Sequence, residues 1–181
     1  MKLIGISGSL RSASFNTGML HAASHCLPEG VTLSLVSCQG LPLYNMDIDG
    51  ENRPEPVTQL IGAIADCDGV LFASPEYNYS IPGLLKNAID WASRPAYKSV
   101  LAGKPVAIVS ASKSPVGGAR VQSHLRDILS ATLSPVVPSP PFLLPQAADK
   151  FNREGVLTDA ASLQRLERYI KEFAEWIARL A

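Results

Sequence analysis

Two segments of this chain carry most of the side chains that could bind an anionic ligand. The first, residues 8–17, is rich in hydroxyl and amide groups around one arginine. The groups concerned are the hydroxyls of Ser9, Ser12, Ser14 and Thr17, the amide of Asn16 and the guanidinium of Arg11. Hydrogen bonds to a charged group contribute about 1.5 to 3 kcal/mol each, so several of them would hold a phosphate firmly. Asn16 or Ser14 can also cap the helix expected from about residue 17 to 26, whose first backbone N–H groups would be free for an anion. A capped serine-rich loop with Arg11 in solvent is an equally good interpretation.

Other phosphate loops that follow a first strand are excluded by missing residues. The G-x-G-x-x-G dinucleotide fingerprint is absent from residues 5–11, and no G-K-[ST] opens the helix. No cysteine nucleophile lies between Met1 and Arg11, as a phosphatase of similar topology would need. A phospho-accepting receiver domain would need acidic residues where Gly8, Ser9 and Ser74 stand. The first segment therefore has residues that could bind a phosphate but none that would attack it.

The second segment, residues 74–91, is a polar and aromatic loop that runs into a helix. A buried apolar strand, residues 69–73, precedes it, and Pro82 and Gly83 open the helix. Ligands bind at the carboxyl ends of strands in open α/β sheets, so we expect this loop to form a ligand site. A third loop of small residues, 111–118, follows another buried strand.

Length, composition and charge favour a single globular domain, residues 1–181. A hydrophobic fraction of 46% and a charged fraction of 18% exclude a largely disordered chain. Lysine plus arginine equals aspartate plus glutamate at 16 each, which gives no reason to expect nucleic acid or an anionic membrane as a partner. No apolar run approaches the roughly 20 residues of a membrane helix, and Arg11 interrupts the N-terminal apolar residues before a signal peptide could form.

The cysteines and histidines suggest neither a disulfide framework nor a metal site. Cys26, Cys38 and Cys67 form no C-x-x-C pair, and their odd number argues against disulfides, so we expect free thiols in a cytoplasmic protein. His21 and His25 lie four residues apart on a predicted helix, but no third ligand is evident and surface histidines are the favoured interpretation.

Hydrophobic periodicity predicts five strands interleaved with helices. Strands are expected at residues 2–7, 31–37, 69–73 and 106–110, and a fifth, on the edge, is expected to begin at 136–137 in the proline-rich region 134–145. Helices are expected from about residues 17, 57, 83, 119 and 158. The apolar stripe of the last helix spans fewer than three heptads, so we interpret it as packing on the sheet rather than as a coiled coil. The pattern predicts a three-layer α/β, flavodoxin-like fold with a five-stranded parallel sheet of order 2-1-3-4-5, whose first and second loops flank one crevice.

The two loop segments resemble the signature segments of the NADPH-dependent FMN reductase family, which includes quinone and chromate reductases. The resemblance rests on Gly8-Ser9-Leu10-Arg11-Ser12-Ala13-Ser14-Phe15-Asn16 and on Pro75-Glu76-Tyr77-Asn78-Tyr79-Ser80-Ile81-Pro82-Gly83-Leu84-Leu85-Lys86-Asn87-Ala88-Ile89-Asp90-Trp91. The paired glycines after Ser112 are similar to the family's third loop, and the likeness covers roughly residues 1–132. It implies bound FMN, NADPH or NADH as electron donor, and a homodimer or homotetramer.

The resemblance also implies roles for individual residues. Those expected at the FMN phosphate are Ser9, Arg11, Ser14, Asn16 and Thr17; those at the isoalloxazine ring are Pro75, Glu76, Tyr77 and Asn78, with Ser112 and Gly117 closing the far side. No protein side chain is expected to be catalytic, because the flavin carries the chemistry. Glu76 could be a general acid, but we favour a role for its backbone rather than its carboxylate. Arg94, Lys98, Lys113 and Arg120 could meet a nicotinamide nucleotide phosphate.

Two functions follow from these expectations. The first is an NAD(P)H-dependent enzyme that passes hydride through FMN to a small-molecule acceptor such as a quinone, a flavin, an azo or nitro compound, or chromate. The alternative is a flavodoxin-like electron carrier that exchanges single electrons with protein partners. A chain of zero net charge disfavours docking to basic partners, which weakens this alternative.

Overall fold

The sheet consists of parallel strands arranged so that the first and third lie side by side. In this computed structural model, which describes residues 1–180, the strands are β1 (Lys2–Ser7), β2 (Thr32–Val36), β3 (Gly69–Ala73), β4 (Val106–Ala111) and β5 (Phe142–Leu144). Their order is β2-β1-β3-β4-β5 and every neighbouring pair is parallel, which confirms the predicted topology. The carboxyl ends of β1, β3 and β4 therefore meet at one edge.

Helices cover both faces of the sheet. They are α1 (Phe15–Ser24), α2 (Glu55–Ala65), α3 (Gly83–Ala92), α4 (Ala119–Ala131) and α5 (Ala160–Leu180), with short 3-10 turns at Met46–Ile48 and Ala147–Asp149. One face packs against α1 and α5, and the other against α2, α3 and α4. β3 and β4 are buried along their whole length, as their continuous apolar sequences predict for strands covered on both sides.

The last helix packs on the sheet, as expected from its apolar stripe. Its inward side chains share one core with residues of β1 and β3, and a Cβ on Gly69 would lie only 2.6 Å from Cδ1 of Ile177. Glycine at position 69 therefore lets the helix approach the strand closely. Asp159 precedes the helix and accepts a hydrogen bond from the backbone N–H of Ser162 at 2.8 Å, an N-cap interaction. Within residues 1–180, none of the helices combines the length and apolar character that crossing a membrane would require.

The fifth strand is not where the sequence predicts it. Val136 forms only an isolated bridge with Val106, and the strand proper begins at Phe142. Three prolines between them, Pro138, Pro140 and Pro141, have no N–H to donate to a ladder. Between these two positions, the backbone groups of Ile108 on β4 bond the hydroxyl of Tyr169 on α5 instead of a neighbouring strand. The hydroxyl donates to the Ile108 carbonyl at 3.0 Å and accepts from the Ile108 N–H at 3.3 Å.

Candidate functional site

Three loops meet at the carboxyl edge of the sheet: the first loop (residues 8–14), the second loop (residues 74–82) and the third loop (residues 112–118). The first two touch at Gly8, whose N–H donates to the Ala73 carbonyl at 2.8 Å. A Cβ on Gly8 would lie 3.2 Å from Ser74 Oγ and 3.3 Å from both Pro75 Cδ and Pro82 Cγ. A Cβ at these distances would require its neighbours to shift by a few tenths of an ångström, so glycine allows the two loops to approach closely here.

The first loop leads directly into α1 through Ser14, which is the N-cap. The buried Ser14 hydroxyl accepts from the N–H of Thr17 at 3.3 Å, and the Thr17 hydroxyl lies 2.8 Å from that of Ser7. No acceptor within residues 1–180 takes the backbone N–H of Phe15 or of Asn16. Unpaired N–H groups in the first turn of a helix form a ready anion site, so this end of α1 fits a phosphate.

Asn16, expected at the phosphate, points elsewhere. Its Nδ2 donates to the carbonyl of Ala111 at 3.1 Å, and its Oδ1 accepts from the N–H of Ala111 at 2.9 Å. The ladder between β3 and β4 ends at the Ala73–Val109 pair, so the Ala111 peptide has no strand partner on that side. The side chain of Asn16 supplies both missing bonds. We therefore assign this amide to joining α1 to β4 rather than to contacting the ligand.

Arg11 is exposed at the mouth of the first loop. Its guanidinium donates to the Ala13 carbonyl at 2.5 Å and lies 5.7 Å from the centre of the Phe15 ring. A hairpin-like segment, residues 151–157, supports the loop from outside, because the Phe15 and Phe151 rings are 4.9 Å apart. The side chain is thus folded back toward the start of α1.

The second loop ends in a tight turn. Tyr77 and Ser80 exchange two backbone hydrogen bonds of 3.0 Å, and the residues between them, Asn78 and Tyr79, have φ of 50° and 64°. Positive φ at both central positions is typical of a type I′ turn, which asparagine tolerates better than tyrosine. The turn leaves Tyr77 half exposed, and Tyr79 more so, at the rim of the crevice.

The carboxylate of Glu76 caps a different element, α4. One of its oxygens accepts from the backbone N–H groups of Arg120 at 3.0 Å and Val121 at 3.2 Å, and the other from the Arg120 guanidinium at 3.2 Å. The residue that precedes α4, Gly118, has no side chain to cap it. Glu76 supplies this cap from 44 positions away in the sequence. The carboxylate is committed to holding the second loop on α4, which agrees with our preference for a backbone role at the ligand.

The third loop closes the opposite side of the crevice. Gly117 has φ of 69°, and a Cβ there would lie 2.9 Å from the backbone N of Pro145, so only glycine fits this close approach. Its carbonyl accepts from the buried Ser110 hydroxyl at 2.8 Å. The hydroxyl of Ser112 bonds that of Ser114 at 3.2 Å and is partly exposed. A cleft of about 710 Å³ opens between the second and third loops.

The electrostatics of this edge favour an anion. The helices that follow the three loops, α1, α3 and α4, have no acidic residue in their first turns. Each helix start carries a positive potential equivalent to about half an elementary charge, so the three together would stabilise a phosphate or a reduced, anionic ring. The carboxylate of Glu76 offsets this only at α4.

The two buried cysteines, Cys38 after β2 and Cys67 before β3, are poor nucleophiles. Burial raises the pKa of the Cys38 thiol to about 11, and burial also raises the pKa of Cys67. Neither is a thiolate at neutral pH, and so neither is an effective nucleophile. Among residues 1–180, no group of three or more metal-ligating side chains is close enough to hold a metal ion.

The sequence does not point to Ser80 or His124 as residues of the site, nor to a contact between Tyr79 and Arg120. Tyr79 lies with its ring 4.2 Å from the Arg120 guanidinium, and the Ser80 hydroxyl is 2.9 Å from Nδ1 of His124. With Glu76, these contacts attach the second loop to α4 at three points. The only sequence signal for them is that the helix starting near residue 119 must lie beside the loop after β3, since β3 and β4 are neighbours.

Comparisons with known proteins show the family of this chain. A family model described as NADPH-dependent FMN reductase matches residues 1–149. An "NAD(P)H-dependent FMN reductase" of Pseudomonas aeruginosa is 39% identical over 180 residues, which cover 99% of this chain and 97% of that protein. An "NAD(P)H:quinone oxidoreductase" of Solanum tuberosum is 43% identical over 172 residues, covering 92% and 87%. The structure of a "flavoenzyme NAD(P)H:(acceptor) oxidoreductase" from Paracoccus denitrificans superposes with a TM-score of 0.88 at 31% identity, covering 98% and 97%. This chain belongs to the NADPH-dependent FMN reductase family.

Proposed function

We propose that this protein binds FMN at the carboxyl edge of its sheet and oxidises NADPH or NADH, with a quinone as the electron acceptor. The main support is that the start of α1, whose first N–H groups have no acceptor, lies beside the aromatic second loop, with which the first loop is in contact at Gly8. Bound FMN would supply the chemistry, since it accepts a hydride and returns electrons to a second substrate. The quinone is chosen because relatives similar over nearly the whole chain carry that activity in their names.

The first loop would hold the phosphate. The N–H groups of Phe15 and Asn16 and the guanidinium of Arg11 would donate to it, together with hydroxyls from the set Ser9, Ser12, Ser14 and Thr17. Of these hydroxyls, that of Ser14 also caps α1 and that of Thr17 also bonds Ser7. Each is a neutral or positive donor, which suits a phosphate dianion. Asn16 contributes its backbone N–H, while its side chain keeps α1 on β4.

The second and third loops would border the ring system. Glu76 and Asn78 of the second loop and Ser112 of the third line the cleft, and Pro75, Tyr77 and Gly117 belong to the same two loops. Backbone groups of the tight turn can donate to ring oxygens and nitrogens without moving, because the turn is held on α4 by Glu76. The cleft of about 710 Å³ leaves space for a flat second substrate to reach the ring.

Anaerobic stopped-flow mixing of the FMN-loaded protein with NADPH tests this proposal. The absorbance of the bound flavin should be bleached by NADPH and restored when benzoquinone is added. Flavin that stays oxidised in the presence of NADPH would contradict the reductase assignment and would leave the electron carrier as the function.

We also infer that the protein is a homodimer or homotetramer. Leu43, Met46 and Tyr97 are 81%, 75% and 72% exposed, which is unusual for large apolar side chains. Their segments are joined, because the Arg94 guanidinium lies 5.1 Å from the centre of the Tyr44 ring. Light scattering after size-exclusion chromatography should give a dimer or tetramer, and a monomer at micromolar concentration would refute this inference.

We place the protein in the cytoplasm. The support is its three cysteines, which remain free thiols in the structure. Fractionation of cells that express the natural gene should recover the protein with cytoplasmic markers, and recovery in the membrane or secreted fraction would refute the assignment.

A further inference from the structure

Arg120 is placed to contact a substrate that enters the cleft between the second and third loops. Among residues 1–180, the cleft lining contains one basic side chain, that of Arg120, together with the hydroxyls of Ser112 and Ser114. We infer that Arg120 binds a phosphate group of the nicotinamide nucleotide. This inference rests on the proposed function and names a substrate contact within the same site.

The guanidinium is held in place while keeping donors available. It lies 4.2 Å from the centre of the Tyr79 ring, and it makes a single 3.2 Å contact with Glu76 rather than a bidentate pair. The side chain is 49% exposed. A guanidinium has five N–H donors, so a stacked one with a single carboxylate contact retains several for a phosphate.

Glu76 does not cancel the charge of Arg120. Its carboxylate also accepts the N–H groups of Arg120 and Val121 at the start of α4, where the helix itself contributes about half a positive charge. Carboxylate, guanidinium and helix start together therefore remain positive. An anion that approaches from the cleft meets this positive group directly.

The other basic residues considered from the sequence are less well placed. Arg94 and Lys98 follow the C-terminal end of α3, whereas the second loop adjoins its N-terminal end. Lys113 lies in the third loop but does not line the cleft. Of these four residues, the structure therefore favours Arg120 and makes Lys113 a matched control.

The test compares the variants Arg120→Gln, Arg120→Lys and Lys113→Gln as FMN-loaded proteins. We expect Arg120→Gln to raise the KM for NADPH and the Kd for NADP⁺, measured by calorimetry, about tenfold, because one charge-assisted contact is lost. The kcat should be unchanged, since the contact is made equally in the ground and transition states. Arg120→Lys should recover most of the loss, and Lys113→Gln should change neither constant more than about twofold.

NADH distinguishes two sources of the phosphate. If the KM of Arg120→Gln rises for NADPH alone, Arg120 contacts the 2′-phosphate. If the KM rises equally for NADH, Arg120 contacts the pyrophosphate. Either result supports the inference. Unchanged KM and Kd in Arg120→Gln would overturn it. So would weaker FMN affinity without rescue by lysine, because that pattern indicates a structural role. If the parent protein binds NADP⁺ but NADPH does not bleach its flavin, the proposed function fails and the calorimetric comparison still decides this inference.

Discussion

Replacing Asn16 with alanine separates a structural role from a ligand-binding role. The side chain is 3% exposed and makes two hydrogen bonds, of 2.9 and 3.1 Å, to the peptide groups of Ala111. Removal of the amide would leave the N–H and the carbonyl of Ala111 buried without partners. Asn16→Ala should therefore weaken the protein even before any cofactor is added.

The magnitude follows from those two lost bonds. Each is worth about 1 kcal/mol net, and each stranded polar group adds a desolvation cost, which gives about 3 kcal/mol in total. For a chain of this length, that loss corresponds to a fall in Tm of about 6 to 12 °C. Urea unfolding of the FMN-free protein, followed by circular dichroism, measures the free energy directly.

The exposed residue Asn52 provides the matched control. Asn52→Ala removes the same amide from a surface loop and should change the free energy of unfolding by less than about 0.5 kcal/mol. If Asn16→Ala unfolds at the same urea concentration as the parent but binds FMN much more weakly, the structural assignment is wrong. Its side chain would then be a phosphate ligand after all.

Three further predictions address the other parts of the site. Arg11→Ala should weaken FMN binding by about tenfold in a fluorescence titration. Binding of riboflavin should be unchanged, because riboflavin lacks the phosphate. Equal weakening of FMN and riboflavin binding would refute the assignment of Arg11 to the phosphate. Glu76→Gln should lower the free energy of unfolding in urea by about 1 kcal/mol, because the cap on α4 is weaker. The pH profile of flavin reduction by NADPH should keep its shape. A changed profile would indicate that Glu76 is a general acid. Burial raises the pKa of Cys38 from 9.0 to about 11, so the contribution of this thiol to stability should be constant below about pH 9 and should fall by up to about 3 kcal/mol between pH 9 and 11, because the unfolded-state thiol ionises first. Cys38→Ala should flatten this part of the curve of stability against pH, and an unchanged slope would contradict the prediction.

The fold was predictable where local sequence and final environment agree. The continuous apolar run Gly69–Ala73 is a strand with those same ends, because a strand covered by helices on both faces needs no polar residue. The fifth strand was misplaced because Val136 and Val137 are apolar and β-branched, yet prolines follow them. Phe142–Leu144 forms the strand instead, being the first stretch after those prolines that can donate N–H groups.

The candidate site was predictable as a set of loops but not as a set of contacts. Serine, arginine and proline mark the loops that could bind a ligand, since their hydrogen-bond donors and, for proline, the fixed backbone are visible in the local sequence. The bonds of Asn16 with Ala111 and of Glu76 with Arg120 join residues 95 and 44 positions apart. No local pattern encodes such pairs, because they depend on which strands are neighbours and on where each ladder ends. Among the predicted ligand residues, Asn16 therefore has a different role for its side chain, and Glu76 is committed to α4.

An absorbance titration of the purified protein with FMN tests the central claim most directly. We predict that each chain takes up one FMN, with the spectral shift of a flavin that has left water for a structured site. A protein that is colourless when purified and shows no uptake or spectral change on titration would contradict it.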